Sequence, residues 1–166
     1  MHSHLTDRQR WMALLLLCMG ELMIVLDTTI VNVALPSIRA DLAFTETTLV
    51  WVVNAYMLTF GGCLLLGGRL GDLYGHRRLF LAGIALFTLA SVLCGMAPTL
   101  GLLVAARALQ GLGAAVMMAL TMAFVAQTVP KDQTGSAMGL LGTMSAIGTA
   151  LGPSLGGVLI AAVGWQ

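Results

Sequence analysis

The chain has 166 residues, 58% of them apolar and 9% charged, with a mean hydropathy of +0.95. That leaves too little polar surface to clothe a globule in water, which excludes the ordinary soluble enzyme or binding domain. A formal net charge of +1 gives no reason to expect a nucleic-acid partner.

Five stretches free or nearly free of charge are long enough, at roughly 18 residues or more, to cross about 30 Å of hydrocarbon as helices. They run from Trp11 to Val33, Leu49 to Gly68, Leu79 to Met96, Leu102 to Val125 and Gly135 to Val163. The alternation that a membrane barrel needs is absent. The expected fold class is an all-α integral membrane bundle.

The first stretch follows a basic start, as a signal peptide would. It is too long for one, carries Glu21 and Asp27 and has no small-residue cleavage site, so it reads as a retained helix. Glu21 lies about 15 Å along the axis from Trp11, near mid-bilayer. An unpaired ionised glutamate is costly there, which leaves it protonated, hydrated or facing a cationic substrate. Asp27 lies about 9 Å from the far end of the same helix. The segment from Pro36 to Thr48, with Arg39, Asp41 and Glu46, is expected to be a simple turn.

In the second stretch Trp51 reads as an interfacial anchor. Asn54 and Tyr56 are about 200° apart on a helix, so at most one of them lines a cavity; Asn54 is the candidate. The connection from Arg69 to Arg78 is dense in charge and glycine. Its glycines permit a tight turn, Asp72 can cap a helix or pair with an arginine, and Arg77 and Arg78 can lie against phosphates or helix ends. A generic basic anchor has the same composition. Cys18, Cys63 and Cys94 fall one each in three apolar stretches, without metal or redox spacing, and read as small core residues. No metal site and no cofactor is expected.

With the N-terminus cytoplasmic, Arg8, Arg10, Arg69, Arg77, Arg78 and Lys131 fall inside and Arg39 outside. The positive-inside rule therefore predicts a multi-pass protein with residues 1–10 as a cytoplasmic N-terminus and residues 11–166 as a transmembrane bundle. The turn around Ala97 to Gly101 is then external, and Pro130 to Thr134 cytoplasmic.

The fourth stretch places Arg107, Gln110 and Gly111 on one helix face at i, i+3 and i+4. Arg107 sits at nearly the depth of Asp27 with the opposite charge. Charge at that depth costs a few kcal/mol on even the mildest scale (about 2.5–3.5), so such residues normally face the interior and serve an ion or substrate pathway. A purely structural arginine, satisfied by carbonyls or by Asp27, is the alternative. Matching charges in helices one and four also hint at a three-helix repeat. No nucleophile, base and oxyanion set is present, so no catalytic residues are assigned. In the fifth stretch Gly148, Gly152 and Gly156 recur every four residues as a flat stripe, and Pro153 removes a backbone donor.

Several of these segments resemble the major facilitator superfamily. Gly68, Asp72, Gly75 and Arg77, with Arg78, are similar to the loop signature between its second and third helices, which implies a gating latch. His76 stands where that family usually has Arg or Lys, a conservative replacement or a titrating group. The run from Arg107 through Gln110 to Ala115 resembles the fourth-helix motif, whose arginine is implicated in proton coupling. Gly139, Gly148, Gly152, Pro153, Gly156 and Gly157 resemble the antiporter motif, which marks exporters. The run Leu26 to Pro36, with Trp51, Asn54 and Tyr56, is similar to the drug and proton antiporter branch with fourteen helices. Thr134 before Gly135 departs from the arginine usual in the family, so a latch through that loop is not expected.

The resemblance covers Trp11 to Trp165 and implies the N-terminal portion of an exporter in the plasma membrane, with a sixth span and the C-terminal helices missing. The proton gradient would be the energy source, and a hydrophobic drug or antibiotic the cargo. Asp27 and Arg107 would couple protons, while Glu21, Asn54 and Gln110 would border the substrate cavity. The rival readings are a uniporter or importer of a small metabolite and a non-transporting fragment.

Overall fold

Apolar runs of this length can pair their backbone groups only within themselves, and helices do so completely. The computed structural model describes residues 7–42 and 45–164, and these form five α-helices with no strand among them. They are α1 (Asp7–Leu42), α2 (Glu46–Tyr74), α3 (His76–Gly95), α4 (Leu100–Thr128) and α5 (Thr134–Val163). All five are long and apolar enough to cross a membrane. The expectations for residues 1–6, Trp165 and Gln166 lie outside the described residues.

Two expected loops are helix instead. The turn expected from Pro36 does not begin there, because α1 runs through Pro36 to Leu42. Proline forfeits one backbone bond, but this one is exposed near the end of the helix. Buried Ala34 and Ile38 on either side hold the helix in the core. The glycine-rich connection is likewise reduced to one residue. Helix α2 continues to Tyr74, Gly75 turns the chain with φ +89°, and α3 starts at His76. The glycines at 68 and 71 are therefore not turn residues. Elsewhere the ends are capped conventionally: Thr45 and Thr99 accept from the amides of Thr48 and Leu102 at 3.3 and 3.4 Å.

Helix α4 is the most enclosed of the five. Helices α2 and α3 pack along it, α1 packs along α5, and α1 also touches α4. The α1–α5 and α4–α2 pairings exchange if helices one and two are swapped with four and five, the relation a three-helix repeat would produce. Small residues make these approaches close. A β-carbon at Gly113 would lie 2.9 Å from the Phe87 amide nitrogen and 3.0 Å from the Gly83 carbonyl oxygen, so α3 seats backbone against α4. Buried side chains collect in three clusters along the bundle: Leu14, Cys18, Val125 and Leu141 at the end bearing the basic residues, Ile24, Tyr56, Phe87 and Met117 at the middle, and Ala34, Ile38, Val52 and Leu103 at the other end.

Candidate functional site

Hydroxyls within these helices mostly satisfy themselves on the preceding turn. Thr28, Thr29, Thr59 and Thr121 each donate to a carbonyl three or four residues back. A carboxylate and a guanidinium cannot do this, and they are driven together. Arg107, only 2% exposed, donates from Nη1 to Asp27 Oδ2 at 2.7 Å and to Gln110 Oε1 at 2.6 Å. Its Nε donates to the Val52 carbonyl at 3.4 Å, and its guanidinium lies 4.4 Å from the Tyr56 ring centroid, within cation–π range.

Gln110 completes the cluster. Its Nε2 donates to Asp27 Oδ1 at 2.6 Å and to Ser91 Oγ at 2.7 Å. Ser91 donates onward to the Phe87 carbonyl at 2.9 Å, and the Cys94 thiol donates to Gln110 Oε1 at 3.6 Å. Both oxygens of Asp27 are thus bonded, by Arg107 and Gln110. These bonds offset part of the cost of burying the two charges, and removing one partner alone costs about 3–5 kcal/mol because it strands the other. The free side of Asp27 opens into a cleft of about 430 Å³ between α1 and α3, lined by Met23, Leu26, Phe87 and Ser91 among others.

The other residues singled out from the sequence are distributed as follows. Gln110 is buried inside the ion-pair cluster. Glu21 is buried too, six residues before Asp27, hence about 9 Å along the axis and about 120° around it. Asn54 is exposed while Tyr56 is buried under Arg107. Asp72, expected to cap a helix or pair with an arginine, lies in the last turn of α2, with Oδ1 at 3.8 Å from His76 Nε2. The two residues stand on either side of the Gly75 elbow, at the end of α2 and the start of α3. Gly68 has open space around it; Arg77 and Arg78 are exposed in the first turn of α3. Arg77 stands with His76 at one end of an apolar groove of about 840 Å³ between α1 and α3.

In α5 the stripe of Gly148, Gly152 and Gly156 faces Val25, Thr29 and Ile30 of α1, whereas Gly139 and Gly157 border open space and Pro153 is exposed. Thr134 donates to the Pro130 carbonyl at 3.1 Å. The turn before it is tied to α1 by Arg10, which donates to Gln133 Oε1 at 3.1 Å and pairs with Asp7 at 2.9 Å. Sequence reasoning missed Ser91, the tie from Arg10 to Gln133 and the part played by Cys94. A hydroxyl inside an apolar helix, three residues after Thr88, was the signal for Ser91.

Comparison with known proteins agrees with this architecture. The family description that matches, Major Facilitator Superfamily, covers residues 17–166. The chain is 44% identical to the puromycin resistance protein pur8 of Streptomyces alboniger over 162 residues, which is 96% of this chain and 32% of that protein. It is 44% identical to the cephamycin export protein CmcT of Amycolatopsis lactamdurans over 155 residues, 93% of this chain and 32% of that one. The riboflavin transporter RibZ of Clostridioides difficile is 37% identical over 158 residues, 95% of this chain and 35% of RibZ. The chain therefore spans about a third of the length of these curated relatives. With its five membrane-length helices and this match along nearly all of its sequence, the chain belongs to the Major Facilitator Superfamily, a family of multi-pass membrane transporters and not of enzymes.

Proposed function

We propose that this chain is the N-terminal part of a transporter that exports hydrophobic drugs or antibiotics across the plasma membrane in exchange for protons, by alternating access. The observation that carries the reading is the buried contact of Asp27 with Arg107, at 2.7 Å. A carboxylate that keeps its charge only while an arginine and an amide hold it is a group whose protonation changes the packing around it. Protonated, Asp27 would release Arg107 to its other acceptors, Gln110 and the Val52 carbonyl. Two arrangements of one cluster, differing by one proton, are what coupling requires.

Several further assignments belong to the same reading. The N-terminus lies in the cytoplasm, which places Arg69, Arg77, Arg78 and Lys131 on that side too. Asp72, Gly75, Arg77 and Arg78, with Gly68 below them in α2, form the gate that the missing C-terminal helices of the protein meet. Glu21 and Asn54 border the cargo. The proton gradient supplies the energy, with no cofactor and no metal. Export of antibiotics is supported by the names of the puromycin and cephamycin relatives. The riboflavin relative supports a second reading, transport of a small metabolite through the same proton machinery.

The test uses the complete protein in inverted membrane vesicles. Asp27→Asn is expected to abolish substrate movement driven by a pH gradient while membrane insertion stays intact. Undiminished movement in that variant refutes the assignment. A panel of labelled antibiotics and flavins in the same vesicles separates the two cargo readings.

A further inference from the structure

Among the described residues, Arg10 Nε, His76 Nε2 and the Tyr56 hydroxyl are buried side-chain polar atoms with no hydrogen-bond partner in the protein. The first two lie at the basic end of the bundle. Tyr56 lies in its interior, 2% exposed. An unsatisfied buried hydroxyl costs about 1–3 kcal/mol, so one kept at this depth calls for an explanation.

Its surroundings supply one. The ring of Tyr56 is fixed by the Arg107 guanidinium at 4.4 Å and by Phe60 stacked at 5.9 Å. On α1, Ile24 belongs to the same buried cluster as Tyr56. Glu21 is three residues before Ile24 and Asp27 three after it, so the two acids bracket Ile24, each about 4.5 Å from it along the axis of α1. Tyr56 accordingly lies within electrostatic reach of Asp27, Arg107 and Glu21 together. Glu21 is itself buried and makes no hydrogen bond with the described residues. Glu21 and the Tyr56 hydroxyl are thus two polar groups without hydrogen-bond partners among the described residues, and the tyrosine already touches the Asp27–Arg107 cluster through its ring.

We propose that the Tyr56 hydroxyl is the junction of a buried hydrogen-bonded path joining Glu21 to the Asp27–Arg107 pair, with water filling the remaining gap. The proposal rests on the proton-coupled reading above for its purpose and extends it by a second acid. A proton leaving the Glu21 carboxyl enters the path at the tyrosine oxygen, directly or through water. The phenolic proton leaves on the other side toward Asp27. Tyrosine ends neutral, Glu21 has lost one proton and Asp27 has gained one. The titratable groups facing this path are Cys18, Glu21 and Asp27 on α1, Tyr56 on α2, Cys94 on α3 and Arg107 on α4; α5 has no titratable side chain.

The experiment compares wild type, E21Q, Y56F and the double variant in the complete protein, reconstituted in liposomes. Y56F keeps the ring, and with it the contacts to Arg107 and Phe60, and removes only the hydroxyl. Infrared difference spectra across a pH titration identify the Glu21 carboxyl by the band that E21Q loses. The path predicts that Y56F displaces the titration midpoint of that band by about one pH unit, the size of a single buried hydrogen bond. It also predicts that proton-driven efflux in the double variant is no slower than in the slower single variant. An unmoved Glu21 midpoint in Y56F, or independent losses that multiply in the double variant, overturns the path. Absence of proton-driven efflux in wild type overturns the proposed function instead, and the infrared titration then decides the Tyr56 path alone.

Discussion

Thr29 of α1 fills the space that a side chain on Gly152 of α5 would need: a methyl group there would overlap its hydroxyl. The threonine cannot simply swing away, because that hydroxyl donates to the Val25 and Leu26 carbonyls at 2.9 and 3.0 Å. The glycine stripe of α5 is in this sense a mould of the α1 surface.

Gly152→Ala is therefore expected to force α5 off α1 and to destabilise the complete protein by about 1–3 kcal/mol, as overpacking does. Gly157, five residues further on and bordered by open space, provides the control. Gly157→Ala is expected to leave the melting temperature in detergent unchanged or slightly raised, since alanine is the better helix former. Equal melting temperatures for the two variants would contradict the packing described.

Arg107→Gln leaves the Asp27 carboxylate buried with only amide partners. The expected loss is about 3–5 kcal/mol, the usual consequence of stranding one member of a buried pair. In Asp27→Asn/Arg107→Gln no charge remains to be stranded, so the double variant is expected to recover most of that loss. A double-mutant cycle on thermal stability measures the coupling, and additive losses would show that the two side chains do not hold each other.

Ser91→Ala removes the acceptor of one Gln110 amide proton. That proton has no other partner in the apolar interior, so a cost of about 1–3 kcal/mol is expected. Because Gln110 also holds Asp27 Oδ1, the change is expected to loosen the acid as well. Faster reaction of the Cys94 thiol, which shares Gln110 with Ser91, would report that loosening in a maleimide-labelling time course.

What could be read from the sequence follows from where the energies are large. Membrane-length spans follow from hydropathy alone. The cost of bare charge in hydrocarbon was enough to place Asp27 opposite Arg107, and the four-residue glycine spacing to mark a packing stripe. Small local energies were not legible. Pro36 signals a helix end, yet its single missing bond falls where the helix is exposed, so α1 runs on. The connection after Gly68 carries the composition of a loop, but only Gly75 needs a conformation that other residues avoid. Gln110 shows why a polar residue in a span does not by itself announce a cavity: the same amide serves an open pocket or closes an ion pair, and only the positions of Ser91 and Asp27 decide. Tyr56 and Asn54 could not share a face, but choosing between them required knowing which way α2 is rotated against α4.

That single turn residue yields the last prediction. Gly75 joins α2 to α3 with φ +89° and ψ 130°, a combination that a β-carbon makes costly by about 1–3 kcal/mol. Its amide still donates to the Gly71 carbonyl at 2.9 Å, and its own carbonyl accepts from the Leu79 amide at 3.2 Å, so the elbow is bonded on both sides and cannot relax without losing one helix end. Gly75→Ala is expected to break the weaker bond first and to fray the first turn of α3, which carries Arg77 and Arg78. Hydrogen exchange at the Leu79 amide should then accelerate by about tenfold for each 1.4 kcal/mol of strain released into local opening. Gly68→Ala lies in open space within α2 and should leave that amide protected. If Leu79 exchanges at the same rate in both variants, the α2–α3 elbow does not depend on glycine at position 75, and the rigid delivery of the two arginines to one face of the bundle needs another cause.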